Sequence, residues 1–232
     1  MSLICCKNLT ICYEDVLAVE NLTIKIEEGD YIYIVGENGS GKSSFLRTIL
    51  GLKKEYKGEI YFENLKKTEI GYFPQKTGMQ KFFPASLYEI VSSGCLNSMG
   101  WFPFLRQKEK KKIKDVLKML NLYEIKDVSF RKLSKGQQQK VLLARAIVAT
   151  KKILFLDEPC ANLDPVFTKE FYEIINRLNK EKNIAIVMVS HDMKSAILNG
   201  EKILHLKKKV LFFGDVKEYV ESDVAKFFLK GV

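Results

Sequence analysis

Histidine is nearly absent from this chain: two occur in 232 residues, and five cysteines, Cys5, Cys6, Cys12, Cys95 and Cys160, are scattered and odd in number. So few ligands argue against a zinc site or a disulfide framework, and the thiols are expected to be ordinary buried side chains. Arginine is scarce as well, 5 against 33 lysines. The net charge of +10 would suit a nucleic acid or an anionic surface, but reading a duplex calls for the arginine fork. No nucleic-acid partner is expected. The densest basic run, RQKEKKKIK from Arg106 to Lys114, reads as the exposed face of a helix.

Long apolar runs are also missing. The longest clean one, Ile184 to Val189, falls far short of the roughly 18 residues that cross a bilayer. The stretch MSLICCKNLT has no basic segment leading into an apolar one, so no secretion signal is read and a cytoplasmic location is expected. With 47% hydrophobic and 28% charged residues, the chain has the balance of a folded globular protein and enough length for a large core.

Alternating strand-like segments run over Leu3–Tyr13, Leu17–Ile26, Tyr31–Val35 and Glu59–Glu63, and the pattern turns helical from Lys42 to Leu50, with Gly51 as its cap. Residues 79–135 differ, with short helices around Ser86–Cys95 and Lys108–Leu122 joined by the loop GWFPF. Helix and strand then alternate over Gln137–Ala149, Ile153–Leu156, Val166–Lys182 and Ile184–Val189, before a hairpin KILHLKKKVLFFG and a helical tail. Both buried strands are continuous apolar runs, as in a parallel sheet covered on two faces. The expected fold is α/β: a phosphate-loop NTPase with a mainly parallel core sheet, an N-terminal antiparallel β subdomain and an inserted α-helical subdomain. One domain spans 1–232, with 1–78 and 136–232 forming the nucleotide-binding core and 79–135 the helical subdomain.

GENGSGKS, Gly36 to Ser43, follows the strand YIYIV and opens a helix, the context a phosphate loop requires. Gly36, Gly39 and Gly41 permit positive φ, so that the backbone N–H groups of Glu37, Asn38, Ser40 and Ser44 can converge with theirs on phosphate oxygens at a helix N-terminus. Lys42 would contact the β- and γ-phosphates, and Ser43 would ligate magnesium. ILFLDEP, Ile153 to Pro159, ends a buried strand in two carboxylates, where ligands of α/β sheets sit. Asp157 is then a magnesium ligand, and Glu158 the base that polarises the attacking water. His191 in SHD follows another buried strand and could order that water. Gln75 in GYFPQ either senses magnesium and water or is a turn residue.

The order phosphate loop, Gln75, LSKGQ, LDEP, ANLD, SHD resembles the nucleotide-binding subunit of ATP-binding cassette (ABC) transporters across essentially the whole chain. The resemblance implies an ATPase with ATP and Mg²⁺ as ligands, working as a head-to-tail homodimer. Ser134, Gly136 and Gln137 would donate in trans to the partner's nucleotide from the start of the helix Gln137–Ala149, and Gln138 and Gln139 are read as helix-surface residues. Asn162, Leu163 and Asp164 match the loop that crosses the dimer. Tyr13 matches the aromatic that stacks on adenine, or is an ordinary strand tyrosine. Residues from about 75 to 104 correspond to the surface receiving a membrane permease, with Phe82, Phe83, Trp101 and Phe102 as anchors or as core. Lys135 stands where glycine is usual and Cys160 where threonine is usual; alkylating Cys160 is expected to slow hydrolysis.

FFPASLYEIVSSG, MGWFPF, the triple glutamine, VSHDM and VLFFGD are similar to the ATPase subunit of bacterial zinc or manganese importers. Iron-chelate and cobalamin importers have related ATPases. The metal would be cargo, chosen by the permease and an external binding protein, and the ATPase would sit at the cytoplasmic face of the membrane. A soluble ABC-type ATPase acting on nucleic acid is the rival, favoured by the charge, yet no second cassette or coiled-coil insertion is present.

Overall fold

The computed structural model describes residues 1–14, 16–75, 84–99, 104–160 and 165–229. Strands β1 (Ser2–Tyr13) and β2 (Val16–Glu27) form an antiparallel pair, β3 (Tyr31–Val35) leads into helix α1 (Lys42–Ile49), and β4 (Lys57–Phe62) returns to pair with β1. After β5 (Ile70–Phe73) come the short helices α2 (Leu87–Ser92) and α3 (Leu96–Met99), then α4 (Gln107–Met119) and α5 (Lys135–Ala149). The chain continues through β6 (Ile153–Asp157), α6 (Pro165–Lys182), β7 (Ala185–Val189) and α7 (Met193–Asn199). A hairpin of β8 (Lys202–Lys207) and β9 (Lys209–Asp215) precedes α8 (Val216–Glu221) and α9 (Asp223–Leu229).

Two sheets result. The smaller has the order β2-β1-β4, and the larger β5-β6-β7-β3-β8-β9. Within the larger, β5, β6, β7, β3 and β8 are parallel and only β9 runs antiparallel. The expected mainly parallel α/β architecture with an N-terminal antiparallel sheet is thus present.

Alternation along the central strands divides the interior in two. Tyr31, Tyr33 and Val35 pack with Leu154, Leu156, Ile186 and Met188 against residues of α2, α4, α5 and α6. Ile32 and Ile34, with Phe155 and Val187, face the other way toward Phe45 and Leu46 of α1 and the inner face of the small sheet. Because successive side chains of a strand point to opposite faces, a strand apolar at every position must be covered on both. Each layer therefore holds one face of the sheet.

Several local expectations are corrected. Helix α5 begins at Lys135 rather than Gln137, because Ser134 is its N-cap: Ser134 Oγ accepts from the Gln137 N–H at 3.2 Å while Gln137 Oε1 accepts from the Ser134 N–H at 2.9 Å. This reciprocal pair satisfies two otherwise unbonded amides of the first turn. Gln138 is half-buried rather than a surface residue, since its Nε2 donates to the carbonyls of Phe130 and Leu133 and ties the preceding turn to the helix. Helix α7 was not anticipated, being short and lacking a strong apolar period; Asp192 caps it through the Ser195 N–H.

Candidate nucleotide and hydrolysis site

Four strands of the parallel sheet deliver the candidate residues to one edge. β3 ends at the phosphate loop, β6 ends at Asp157 and Glu158, β7 is followed by Ser190 and His191, and β5 is followed by Gln75. Parallel pairing of β5 with β6, β6 with β7 and β7 with β3 places all four carboxyl ends side by side. The sheet, not local sequence, gathers them.

The loop after β3 is shaped by glycine where nothing larger fits. Gly36 has φ 142°, and a Cβ there would lie 2.1 Å from the Leu206 carbonyl oxygen; Gly41 has φ 102°, and its Cβ would lie 2.3 Å from that of Ala18. Gly39 also has positive φ, at 78°, but faces open space. Lys42, buried, donates from Nζ to the carbonyls of Gly36 at 2.7 Å and Glu37 at 2.9 Å. Its own loop thus holds the ammonium over the cradle. Burial lowers its pKa, while Glu158 and Asp157 pull the other way.

Asp157 is almost fully buried, and its Oδ1 has no hydrogen-bond partner. Burial and the adjacent Glu158 raise its carboxyl above its ordinary value, against Arg47, a hydrogen bond from Ser43, and Lys42. An orphaned carboxylate oxygen in this position is costly unless something cationic meets it. Among the described residues no group of three or more His, Cys, Asp or Glu could cage a metal; a magnesium ion, which keeps several waters and substrate oxygens as ligands, needs no such cage.

Glu158 has the left-handed φ of 47°, uncommon for a side chain of its kind. Its amide donates to the Val189 carbonyl at 3.0 Å, which anchors the turn. Its carboxylate accepts from Gln75 Nε2 at 2.5 Å through Oε2 and lies 3.8 Å from His191 Nδ1 through Oε1. Gln75, Glu158 and His191 are therefore brought together, as the sequence led us to expect.

Other expected residues fall elsewhere. Tyr13 is partly exposed at the end of β1, and Lys53 Nζ sits 4.0 Å from its ring centroid. Ser134, Gly136 and Gln137 form the first turn of α5; Ser134 Oγ acts there as acceptor, leaving its proton available, and Gly136 has open space around its Cα. Asn162, Leu163 and Asp164, and the aromatics Phe82, Phe83, Trp101 and Phe102, lie outside the described residues. Cys160 is half-buried, packed against the apolar core next to Tyr172, and its thiol is pushed up to about 11 by burial. Such a thiol stays protonated and unreactive near neutrality.

Sequence reading missed Arg47, whose charge acts on Asp157, Lys53 on the Tyr13 ring, and His205. The spacing of Arg47 four residues after Ser43 on α1 was the available signal. His205, paired with Val35 across β3 and β8, is fully buried, with Nδ1 2.9 Å from the Tyr219 hydroxyl and Nε2 unpartnered. Burial brings its pKa down to about 4.

A glycine loop between a parallel strand and a helix, with two carboxylates on a nearby strand end, defines a phosphate-loop nucleotide-binding ATPase. The family model described as ABC transporter matches residues 19–161, more than half of the chain. The chain belongs to the ABC transporter family, as an ATPase coupled to transport. It is 33% identical over 228 residues to a probable metal transport system ATP-binding protein of Thermotoga maritima, covering 98% of this chain and 91% of that one. It is 32% identical to the zinc uptake system ATP-binding protein ZurA of Listeria innocua, over 91% of this chain and 85% of that one. The dimeric structure of a bacterial ABC transporter cassette superposes with TM-score 0.79 at 28% identity, covering 92% of this chain and 99% of the other.

Proposed function

We propose that this chain is the ATP-hydrolysing subunit of an importer for a divalent metal ion, zinc or manganese. The observation that carries the hydrolytic part is the approach of Gln75 and His191 to Glu158 beside the phosphate loop; the names of its relatives support the cargo. Here Gly36 through Ser44 hold the phosphates by backbone N–H groups, and Lys42 exchanges its loop carbonyls for phosphate oxygens. Ser43, Asp157 and Gln75 would hold magnesium, which supplies neutralisation of phosphate charge when bound. Tyr13 would stack on adenine, its other face occupied by Lys53.

Glu158 takes the proton of the attacking water, Gln75 and His191 fixing its carboxylate and the water. The site is completed by a second copy, whose Ser134, Gly136, Gln137 and Asp164 equivalents face the γ-phosphate in trans; the start of α5 presents its N–H groups and positive dipole end there. Closure is driven by contacts made only in the ATP-bound dimer. The surface from about 75 to 104, with exposed Leu96 and Phe104, receives the permease, and an external binding protein supplies the metal. In this reading the chain sits on the cytoplasmic face of the membrane.

Reconstitution with its permease and binding protein in vesicles tests the reading. ATP-dependent uptake of zinc or manganese that disappears with Glu158→Gln is expected. Uptake of a chelate or cobalamin in place of the free ion overturns the cargo, and uptake unaffected by Glu158→Gln overturns the mechanism.

A further inference from the structure

A cleft of about 480 Å³ lies between α4 and the ends of α5 and α6, at the edge of the sheet opposite the nucleotide site. Lys108, Lys111 and Lys112 reach it from α4, Lys151 from beyond the end of α5, and Lys182 from the last residue of α6; Asp115 is the one acidic side chain among the lining residues. The run that reads as a solvated helix face in sequence is therefore one wall of a concave site. None of the five lysines makes an ion pair among the described residues.

The five charges have different local explanations. Lys151 and Lys182 sit at or just past helix C-termini, where cations are favourable. Lys108, Lys111 and Lys112 lie in the first two turns of α4, where cations are unfavourable and Glu109 is the only acid of the first turn. Lys108 and Lys112 are also a like-charged pair four residues apart, which costs a helix stability. Lys112 is half-buried, donates to the Thr150 carbonyl at 2.7 Å, and has its pKa lowered by burial, with Lys151, Lys182 and Lys108 acting in the same direction against Cys95. Nothing in helix formation accounts for that concentration of charge.

Beneath the lysines the floor is apolar, made by Val116, Met119, Ile147, Leu178 and Ile184. Lysine acts as a point-charge binder of phosphate, and a volume of this size lies within the roughly 300–1,000 Å³ typical of small-molecule sites. An extended nucleic acid would need a basic groove that tracks its backbone, with aromatic side chains for its bases to stack on, and among the described residues the lining of this cleft holds no aromatic side chain.

We propose that this cleft binds a nucleotide-sized organic anion carrying more than one phosphate, its phosphates on the lysines of α4, on Lys151 and on Lys182, and its apolar body on the floor. Such a ligand would bridge α4 to the sheet layer from behind, away from the ATP site.

Calorimetric titration of the full chain with adenosine 3′,5′-bisphosphate tests this, and because it needs neither hydrolysis nor a permease it is independent of the transport reading. In Lys42→Ala, whose phosphate loop has lost its lysine, one-to-one binding is expected. In Lys111→Ala/Lys151→Ala/Lys182→Ala, binding should weaken by about a hundredfold or more, a conservative figure for three lost charge-assisted contacts. The single variant Lys151→Glu gives a second reading and should weaken it about tenfold or more. Absence of saturable binding to Lys42→Ala, or undiminished binding to the charge variants, overturns the site. Pyrophosphate binding as tightly as the bisphosphate overturns the organic body.

Discussion

Gln75 Nε2 donates to Glu158 Oε2 at 2.5 Å although the two residues are 83 positions apart in the chain. The amide occupies one carboxylate oxygen, while His191 Nδ1 lies 3.8 Å from the other, beyond direct hydrogen-bond distance. Substituting Glu158→Gln should cut the hydrolysis rate by about 10²–10⁴, the range of a general base, while nucleotide affinity is kept. Light scattering of this variant with ATP and magnesium should show a dimer. A monomer under those conditions would remove the basis for trans contacts.

Lys42→Ala tests the cradle itself. The ammonium is bonded to two loop carbonyls at 2.7 and 2.9 Å, so the variant loses both that internal brace and its phosphate partner. Equilibrium binding of a fluorescent ATP analogue should weaken by at least about tenfold, as expected for loss of a charged hydrogen bond. Unchanged affinity would mean the loop does not hold the phosphates.

Glycine substitutions in the loop should separate close approach from conformation. Gly39→Ala meets no neighbour and should cost about 1–2 kcal/mol for its left-handed backbone alone. Gly36→Ala adds a Cβ 2.1 Å from a backbone carbonyl and should cost more in denaturant unfolding. Equal losses in the two variants would show that space around Gly36 is not limiting.

At the start of α5, stability and activity can be uncoupled. Ser134→Ala should lower stability by about 1 kcal/mol through loss of the N-cap, and Ser134→Asp should preserve it, since aspartate also caps. Both should reduce hydrolysis by about 10²-fold if the hydroxyl donates to the partner's nucleotide. An active Ser134→Asp enzyme would reduce Ser134 to a cap.

Acid stability provides a test of the buried His205. Its pKa is about 4 in the folded chain against an ordinary 6.5, so between these values the unfolded chain binds the proton and the folded chain does not. Stability should therefore fall as pH drops from 6.5 toward about 4. Replacing the imidazole by His205→Phe should flatten the melting-temperature profile across that window. The half-buried Cys160 thiol, raised from 9.0 to about 11, acts oppositely: the folded chain retains a proton the unfolded one loses, so stability should fall as pH rises from 9 toward 11.

Local patterns sufficed for most of the elements, though not for α7 or for the start of α5 at Lys135, and for the motifs of the site. The phosphate loop, the strand ending in Asp157 and Glu158, and the capped start of α5 each obey rules reaching only a few residues: glycine freedom, continuous apolar strands, and side-chain caps. The tertiary structure decided what those pieces face. Parallel pairing of β5, β6, β7 and β3 brings Gln75, Glu158 and His191 to one edge, and no spacing in the chain encodes which strands become neighbours. The same holds for the lysines of α4, whose periodicity cannot reveal that Lys151 and Lys182 stand opposite. Sheet order and helix packing are set by burying two apolar faces at once, a global condition that no single segment carries.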